Sequence, residues 1–391
     1  MVDNTYKANN TFFEDKYVQF TEVGLPTPET RGGMWSWGTN LNATLGLGDS
    51  VHRSSPVQVG TLTTWSEVAT EGFYVAHAIS SNGSLWTWGS GNVYGEIGLN
   101  GSPTGAATPV QIGALTNWSK ISTTGISVIS LKTDGTIWTW GQNGNGELGL
   151  GDRTHRSSPT QVGSLNNWSK VYAAGPATSA SGSMLAVKTD GTLWVWGVNT
   201  SGQLGLSDTT SRSSPVQVGS LTNWKEVSGG DGFSIAIKTD GTLWSWGSGG
   251  FGALGLGNTT SVSSPVQVGS LTDWNKISSY KYHTLAIKTD GTIWSWGYNF
   301  YGSLGLGDRV HRSSPVQVGA LTNWKEVSTG EDTSAAIKTD GTLWSWGDNT
   351  RGVLGLGNTT GRSSPVQVGS LTSWRDISGR GYNWHGLKSF Y

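Results

Sequence analysis

The chain contains no cysteine, so disulfides and thiolate chemistry take no part in its folding or function. Charge is scarce as well: 13% of residues are Asp, Glu, Lys or Arg, and the formal net charge is -1. Without a basic field there is nothing to hold a phosphate backbone, which speaks against a nucleic-acid partner. Apolar runs are short, and none approaches the roughly 20 residues of a membrane helix. Residues 1–20 lack the basic start and apolar core of a secretory signal. An unprocessed Met1 suits a protein made in a cytoplasm. No window carries sustained helical periodicity.

Glycine and tryptophan are in excess, with 59 and 22 residues among 391. Together they imply many tight turns around large, flat, packed side chains. A chain of this length would ordinarily divide into two or three domains. A repeat array absorbs it instead. A Trp-x-Trp-Gly unit occurs seven times, at Trp35, Trp86, Trp138, Trp194, Trp244, Trp294 and Trp344, and its second tryptophans are spaced by 51, 52, 56, 50, 50 and 50 residues. Seven single tryptophans lie between these units: Trp65, Trp118, Trp168, Trp224, Trp274, Trp324 and Trp374. Only Trp384 falls outside the pattern, so tryptophan is consumed by the repeat and little is left for a cofactor or sugar site.

One repeat shows the architecture. Trp274–Ser278 reads as a strand, and His283–Lys288 as a second with alternating Leu285 and Ile287. Asp290-Gly291 marks a tight hairpin. Thr292–Trp296 reads as a third strand and Pro315–Gly319 as a fourth, its proline suiting a strand start or edge. Four strands per repeat, repeated radially, predict an all-β fold, a seven-bladed β-propeller of four-stranded blades. The first Trp-x-Trp unit has no strand pair before it, and Trp374–Lys388 is a strand pair with no unit after it. The N- and C-terminal segments therefore share one blade, which hides the open edges. The propeller spans residues 31–391, and residues 1–30 form an arm outside it.

The run Thr289-Asp290-Gly291-Thr292-Ile293-Trp294-Ser295-Trp296-Gly297, followed by Gly302-Ser303-Leu304-Gly305-Leu306-Gly307, resembles the repeat of the regulator of chromosome condensation family. The resemblance covers about residues 31–388. It implies the propeller fold. The family's founding member is a nucleotide-exchange factor for a small nuclear GTPase, and bacterial and phage proteins share the fold without that activity. The family's His-Thr pair at the second strand is matched here only by His283-Thr284, and none of its GTPase-contacting residues is placed on this chain. Exchange activity is therefore not expected.

Several motifs invite catalytic or ligand readings. Gly-x-Gly-x-x-Gly occurs at Gly144–Gly149 and Gly247–Gly252, but neither opens a helix, so turns are expected rather than a phosphate loop. Asp49, Asp152, Asp208 and Asp308 recur in the glycine-rich loops, each as a lone carboxylate, which suits turns better than calcium. His52, His155 and His311 share a repeat position in separate blades, so a metal triad is not expected. Lys132, Lys188, Lys238, Lys288, Lys338 and Lys388 precede the hairpin turns and read as a solvated rim. No catalytic residues, metal ligands or cofactor are assigned, and the chain reads as a non-enzymatic binding or structural protein.

Antiparallel strands place successive loops on alternate faces. The Asp-Gly hairpins are nearly identical from blade to blade, whereas the loops after each Trp-Gly differ, as do the excursions at residues 100–108 and 175–184. Variation on a constant scaffold marks the expected binding face, with drift in unconstrained loops as the alternative. One repeat gathers aromatics there: Tyr280, Tyr282, His283, Tyr298, Phe300 and Tyr301. These are the candidate binding residues, or else they pack on one another to stiffen two loops. In the arm, Phe12, Phe13, Tyr17 and Phe20 are candidate anchors to a neighbouring subunit. Two readings follow. The first is a phage or virus particle component, in a tail, fibre or head decoration, made in the host cytoplasm and meeting other subunits or the host surface. The second is a cytoplasmic protein-interaction module of the chromosome condensation regulator type, including an exchange-factor-like role.

Overall fold

The computed structural model describes residues 33–71, 73–101, 105–175 and 182–389. The arm, with Phe12, Phe13, Tyr17 and Phe20, lies outside the described residues, as do parts of the excursions near residues 102–104 and 176–181. The described residues form 28 strands in seven four-stranded antiparallel sheets. In one blade β19 (Trp274–Tyr280), β20 (His283–Lys288), β21 (Ile293–Gly297) and β22 (Arg312–Gln317) lie in chain order across the sheet. The seventh sheet joins the ends: β27 (Trp374–Arg380) and β28 (Asn383–Lys388) pair with β1 (Gly33–Gly38) and β2 (Arg53–Gln58), with Gly33 opposite Lys388. Closure through a shared blade is as the repeat boundaries predict.

The fourth strand begins at Arg312 rather than at Pro315. Gly297 pairs with Arg312, the register then slips, and Ser295 pairs with Val316. Pro315 thus lies inside the strand, which is tolerated because this is the blade's outer edge and no neighbour needs its missing N–H.

The core lies between blades. The cluster of Ile235, Ile237, Leu243, Val268, Trp274, Ala286 and Trp296 draws on two neighbouring sheets. The second tryptophan of each Trp-x-Trp unit is the stitch. Trp296 is fully buried and donates its indole N–H to Ala253 O of the preceding blade at 3.0 Å. Gly255 makes room for it: its φ is +70°, and a Cβ there would stand 2.9 Å from Trp296 Nε1.

The lysines before the hairpins do not form a solvated rim. Lys238 is buried, with Nζ 3.6 Å from the centre of the Trp244 ring and 4.9 Å from that of Trp224. Lys132, Lys188, Lys288, Lys338 and Lys388 repeat the arrangement. The charge is held by ring faces rather than by water, and burial draws the Lys238 ammonium below the usual lysine range. Beside it Asp240 accepts from the Thr242 hydroxyl at 2.7 Å, and Thr242 Oγ1 accepts the Trp244 indole N–H at 2.9 Å. The hairpin sequence is constant in five blades because one hydrogen-bonded unit serves each of them, and the closing blade has no such hairpin. One further blade carries Ser80 where the other six carry lysine, and there Ser80 bonds Ser84 at 2.6 Å.

The first strands of the blades surround the axis: β3 (Trp65–Thr70), β7 (Trp118–Thr123), β11 (Trp168–Ala174), β15 (Trp224–Gly229), β19, β23 (Trp324–Thr329) and β27 each touch both neighbours. Their third residues carry ion pairs from blade to blade, Glu67–Lys120, Lys170–Glu226 and Lys276–Glu326. Seven is odd, so Asp376 stands without a lysine from a neighbouring blade.

Candidate functional site

The loops after each Trp-Gly share an internal frame. Asn299 Nδ2 donates to Asp308 Oδ1 at 3.2 Å, its Oδ1 accepts Leu304 N at 2.9 Å, and its own N–H donates to His311 Nδ1 at 2.9 Å. Asp308 also pairs with Arg312. Asn40, Asn143, Asn199 and Asn349 hold their loops in the same way. The recurring aspartates are therefore turn residues, and His52, His155 and His311 each accept a backbone N–H at Nδ1 and so pin the loops.

The loop after Gly247 departs from this frame. Glycine stands at 249 in place of the asparagine, and the loop folds into a short 3₁₀ turn, Gly250–Gly252. Within it Phe251 takes φ +57°, ψ +11°, the left-handed region that a bulky residue occupies at a cost of about 1–2 kcal/mol. That conformation projects an aromatic ring, 44% exposed, toward the next blade. It lies 5.0 Å from Tyr298, 5.4 Å from Tyr282 and 5.3 Å from His311, centre to centre. Tyr298 stacks on His311 at 4.9 Å. Phe300, 54% exposed, continues the patch, and Tyr301, 37% exposed, meets it edge-on at 5.0 Å. Two blades thus present one run of rings. Tyr282 donates to Asp231 Oδ2 at 2.9 Å, and burial followed by that carboxylate pushes its hydroxyl up to about 12.

The structure brings Tyr282, Tyr298, Phe300 and Tyr301 together on the variable face. Tyr280 and His283 are not part of that surface, because both are fully buried. Tyr280 ends the innermost strand, and its hydroxyl donates to Glu71, three blades away around the ring. His283 Nε2 meets Ser334 Oγ at 3.0 Å in the next blade, and burial lowers its pKa to about 4. Tyr280 belongs to a plug across the axis. Arg380 donates to Thr123 O at 2.8 Å and Ala173 O at 2.7 Å, and its guanidinium lies over the Tyr172 ring at 4.7 Å. Glu71, Tyr280 and Arg380 share one repeat position, six residues after the single tryptophan, and Gly230 and Gly330 leave room at the same position of two other blades. Sequence reading missed Phe251 as a site residue, although it stands one 50-residue repeat before Tyr301.

Beside the patch lies a group of charges. Lys281 pairs with Glu331, and Arg351 stacks on Tyr382 at 4.3 Å. Asp332 is 8% exposed, and burial, opposed by Lys281 and reinforced by Glu331 and Asp348, raises its carboxyl to about 6. Lys281 has φ +49°, at a repeat position where Gly125, Gly175 and Gly381 stand in other blades. Of the five non-glycine residues with positive φ among the described residues, two, Phe251 and Lys281, border this one patch. Among the described residues no group of His, Cys, Asp and Glu is arranged to hold a metal ion, and no helix is long and apolar enough to cross a membrane.

The chain is similar to the ultraviolet-B receptor UVR8 of Arabidopsis thaliana, 32% identical over 187 residues that make up 47% of this chain and 41% of the receptor. It is also similar to the mitochondrial RCC1 domain-containing protein RUG3 of Arabidopsis thaliana, 30% identical over 232 residues, 56% of this chain and 50% of that protein. The matches span about half the length of these relatives or less. Among solved structures, Prp20p from Saccharomyces cerevisiae superposes with a TM-score of 0.80 at 20% identity, covering 92% of each chain. Human WBSCR16 superposes with a TM-score of 0.79 at 18% identity, covering 92% of this chain and 99% of that one. At those identities the likeness is one of fold. The regulator of chromosome condensation (RCC1) repeat model matches residues 134–180, and the RCC1-like domain model matches residues 177–383, more than half of the sequence. The chain belongs to the RCC1-like domain family.

Proposed function

We propose that this protein is a non-enzymatic, cellular protein-interaction module that holds a partner protein on its variable loop face, through Phe251, Tyr282, Tyr298, Phe300 and Tyr301. The observation that carries this reading is the exposed aromatic run across two blades, one ring of which is held in a strained backbone. Exposed rings supply area and polar handles at low entropic cost, and strain concentrated at a surface patch is a mark of function. Of the two readings open to the sequence, the cellular module is favoured over a virion component. The relatives and structures reported above come from a plant, a yeast and human. Prp20p was studied for its binding to Gsp1p and histones, which supports a protein as the class of partner here.

The test is photocrosslinking. A benzophenone amino acid replaces Phe300 on the loop face and, separately, Asp240 on the hairpin face, and adducts formed in extracts of the producing organism are identified by mass spectrometry. A discrete protein adduct is expected from position 300 and none from 240. Adducts confined to position 240 would overturn the assignment of the face.

A further inference from the structure

We propose that a cavity between the blades of Trp194 and Trp244 binds a neutral carbohydrate, a hexose unit of a glycan lying against Trp244. The site shares no residue with the aromatic patch of the loop face. Strand β14 (Arg212–Gln217) closes one blade on its outer side, and β18 (Val262–Gln267) closes the next. The cavity holds about 360 Å³ and draws on both blades. Leu221, Trp244 and Pro265 line it with apolar atoms, and Ser207, Gln217 and Ser264 bring polar ones. No ionisable side chain is among the described residues that line it. A charged ligand would find no counter-charge in that lining, so the ligand that fits is neutral.

Ser207 sets this junction apart. It takes φ +66°, where Gly48, Gly151, Gly257, Gly307 and Gly357 stand at the same repeat position with φ from +73° to +84°. That region is ordinarily left to glycine, and backbone strain of this kind gathers at ligand sites. The loop frame does not call for a serine: Ser207 N donates to Ser263 O at 2.8 Å, and Gly307 N donates to Ser363 O at 2.8 Å in the same way. What the serine adds is a hydroxyl at the cavity, 2.9 Å from Ser264 Oγ. One hydroxyl hydrogen holds that pair together, and the other is left for a ligand.

The polar groups both donate and accept. Gln217 uses one amide hydrogen on Gly219 O at 3.1 Å, which leaves a second hydrogen and the carbonyl oxygen. Sugar hydroxyls also donate and accept, so they match the amide and the serine pair. Trp244 spends its indole N–H on Thr242 Oγ1 at 2.9 Å, and the Lys238 ammonium stands 3.6 Å from the ring centre, outside the lining. Ring carbon is therefore what Trp244 brings to the cavity, and the C–H face of a pyranose complements it. The repeat consumes the tryptophans in packing, yet Trp244 is only partly buried and lines this cavity as well. Apolar walls with a few placed polar groups are the common form of a small-molecule site. A proline-rich segment also lies on aromatic rings, but proline has no N–H to offer the acceptors here.

The probes are maltose, cellobiose, lactose and diacetylchitobiose, titrated against the full chain by calorimetry, with decaproline as the peptide counterpart. At least one disaccharide is expected to bind and decaproline not to bind. Ser207→Gly restores the residue of the other blades, so the fold is kept and the melt stays cooperative, while the disaccharide weakens about five- to tenfold. Gln217→Leu should weaken it by a similar factor. Gln317→Leu, at a junction where Gly307 stands, should leave binding unchanged. Failure of all four disaccharides, or equal binding by wild type and Ser207→Gly, would overturn the proposal. Binding of decaproline alone would overturn it in favour of a peptide.

Discussion

The two faces of this propeller use the same residue types for opposite ends. On the hairpin face an unlike pair, lysine and tryptophan, is complete in six of the seven blades: the ammonium of Lys238 lies between two indoles, and Asp240 Oδ1 beside it accepts from Thr242 N and Oγ1. On the loop face the rings of Tyr282 and Tyr298 lie 6.3 Å apart, with Phe251 and Phe300 beside Tyr298. The first face repeats the same hydrogen-bonded hairpin in five blades. The second differs from blade to blade and exposes its rings. Stability is concentrated where the blades agree, and binding potential where they do not.

This contrast can be broken by cutting what both faces share. Trp246→Ala removes a fully buried ring that donates to Gln203 O at 2.8 Å in the neighbouring blade. It should cost about 3–5 kcal/mol, seen as a lower urea midpoint. Lys238→Ala attacks the hairpin face alone. It should cost about 1–2 kcal/mol in thermal or urea melts without affecting partner binding.

Asp332→Asn should act in the opposite direction on the loop face. The folded carboxyl titrates at about 6, above its value in an unfolded chain. Above that pH the folded protein holds a charge that the unfolded chain would hydrate, so the penalty is fully present. Below the ordinary aspartate range, near about 4, both states are protonated and the penalty disappears. The variant should therefore gain on the order of 1–2 kcal/mol at neutral pH and nothing at low pH, measured by melts across that range.

Two smaller changes sharpen the comparison. Ser80→Lys supplies the blade of Trp65 and Trp86, whose rings already meet edge-on at 5.7 Å, with the lysine the other blades have. A gain of about 0.5–1 kcal/mol in a thermal melt is expected. The double change Phe300→Ser and Tyr301→Ser alters exposed rings only, and stability should stay within about 0.5 kcal/mol while the crosslinked partner is lost.

Much of this was legible in the chain itself. Strand β20 begins and ends where the alternation of Leu285 and Ile287 places it, and the shared blade follows from the incomplete repeats at the two ends. Local preference and pleat periodicity suffice for such features. The lysines were misread because charge near a turn suggests solvent, and the ring faces that bury Lys238 come from two separate strands, at Trp224 and Trp244. Tyr280 and Tyr282 are two residues apart, yet one points into the axis and the other lies by Asp231 at the surface. Their roles depend on where the inner strand ends relative to the axis, which no local rule contains.

The sequence by itself determined the number of blades, the order of strands, the closing blade and the identity of the variable face. All of these rest on interactions between residues close in the chain or related by a constant period. The tertiary structure alone decided which side chains meet across that period. Closure of the ring placed Glu71, Tyr280 and Arg380 on one axis, set Phe251 against Tyr298 and buried most of Asp332. Packing distances between blades are not encoded in any single repeat. They arise when seven similar sheets must share one core, and the residues that differ are sorted by that geometry into plug, frame and surface.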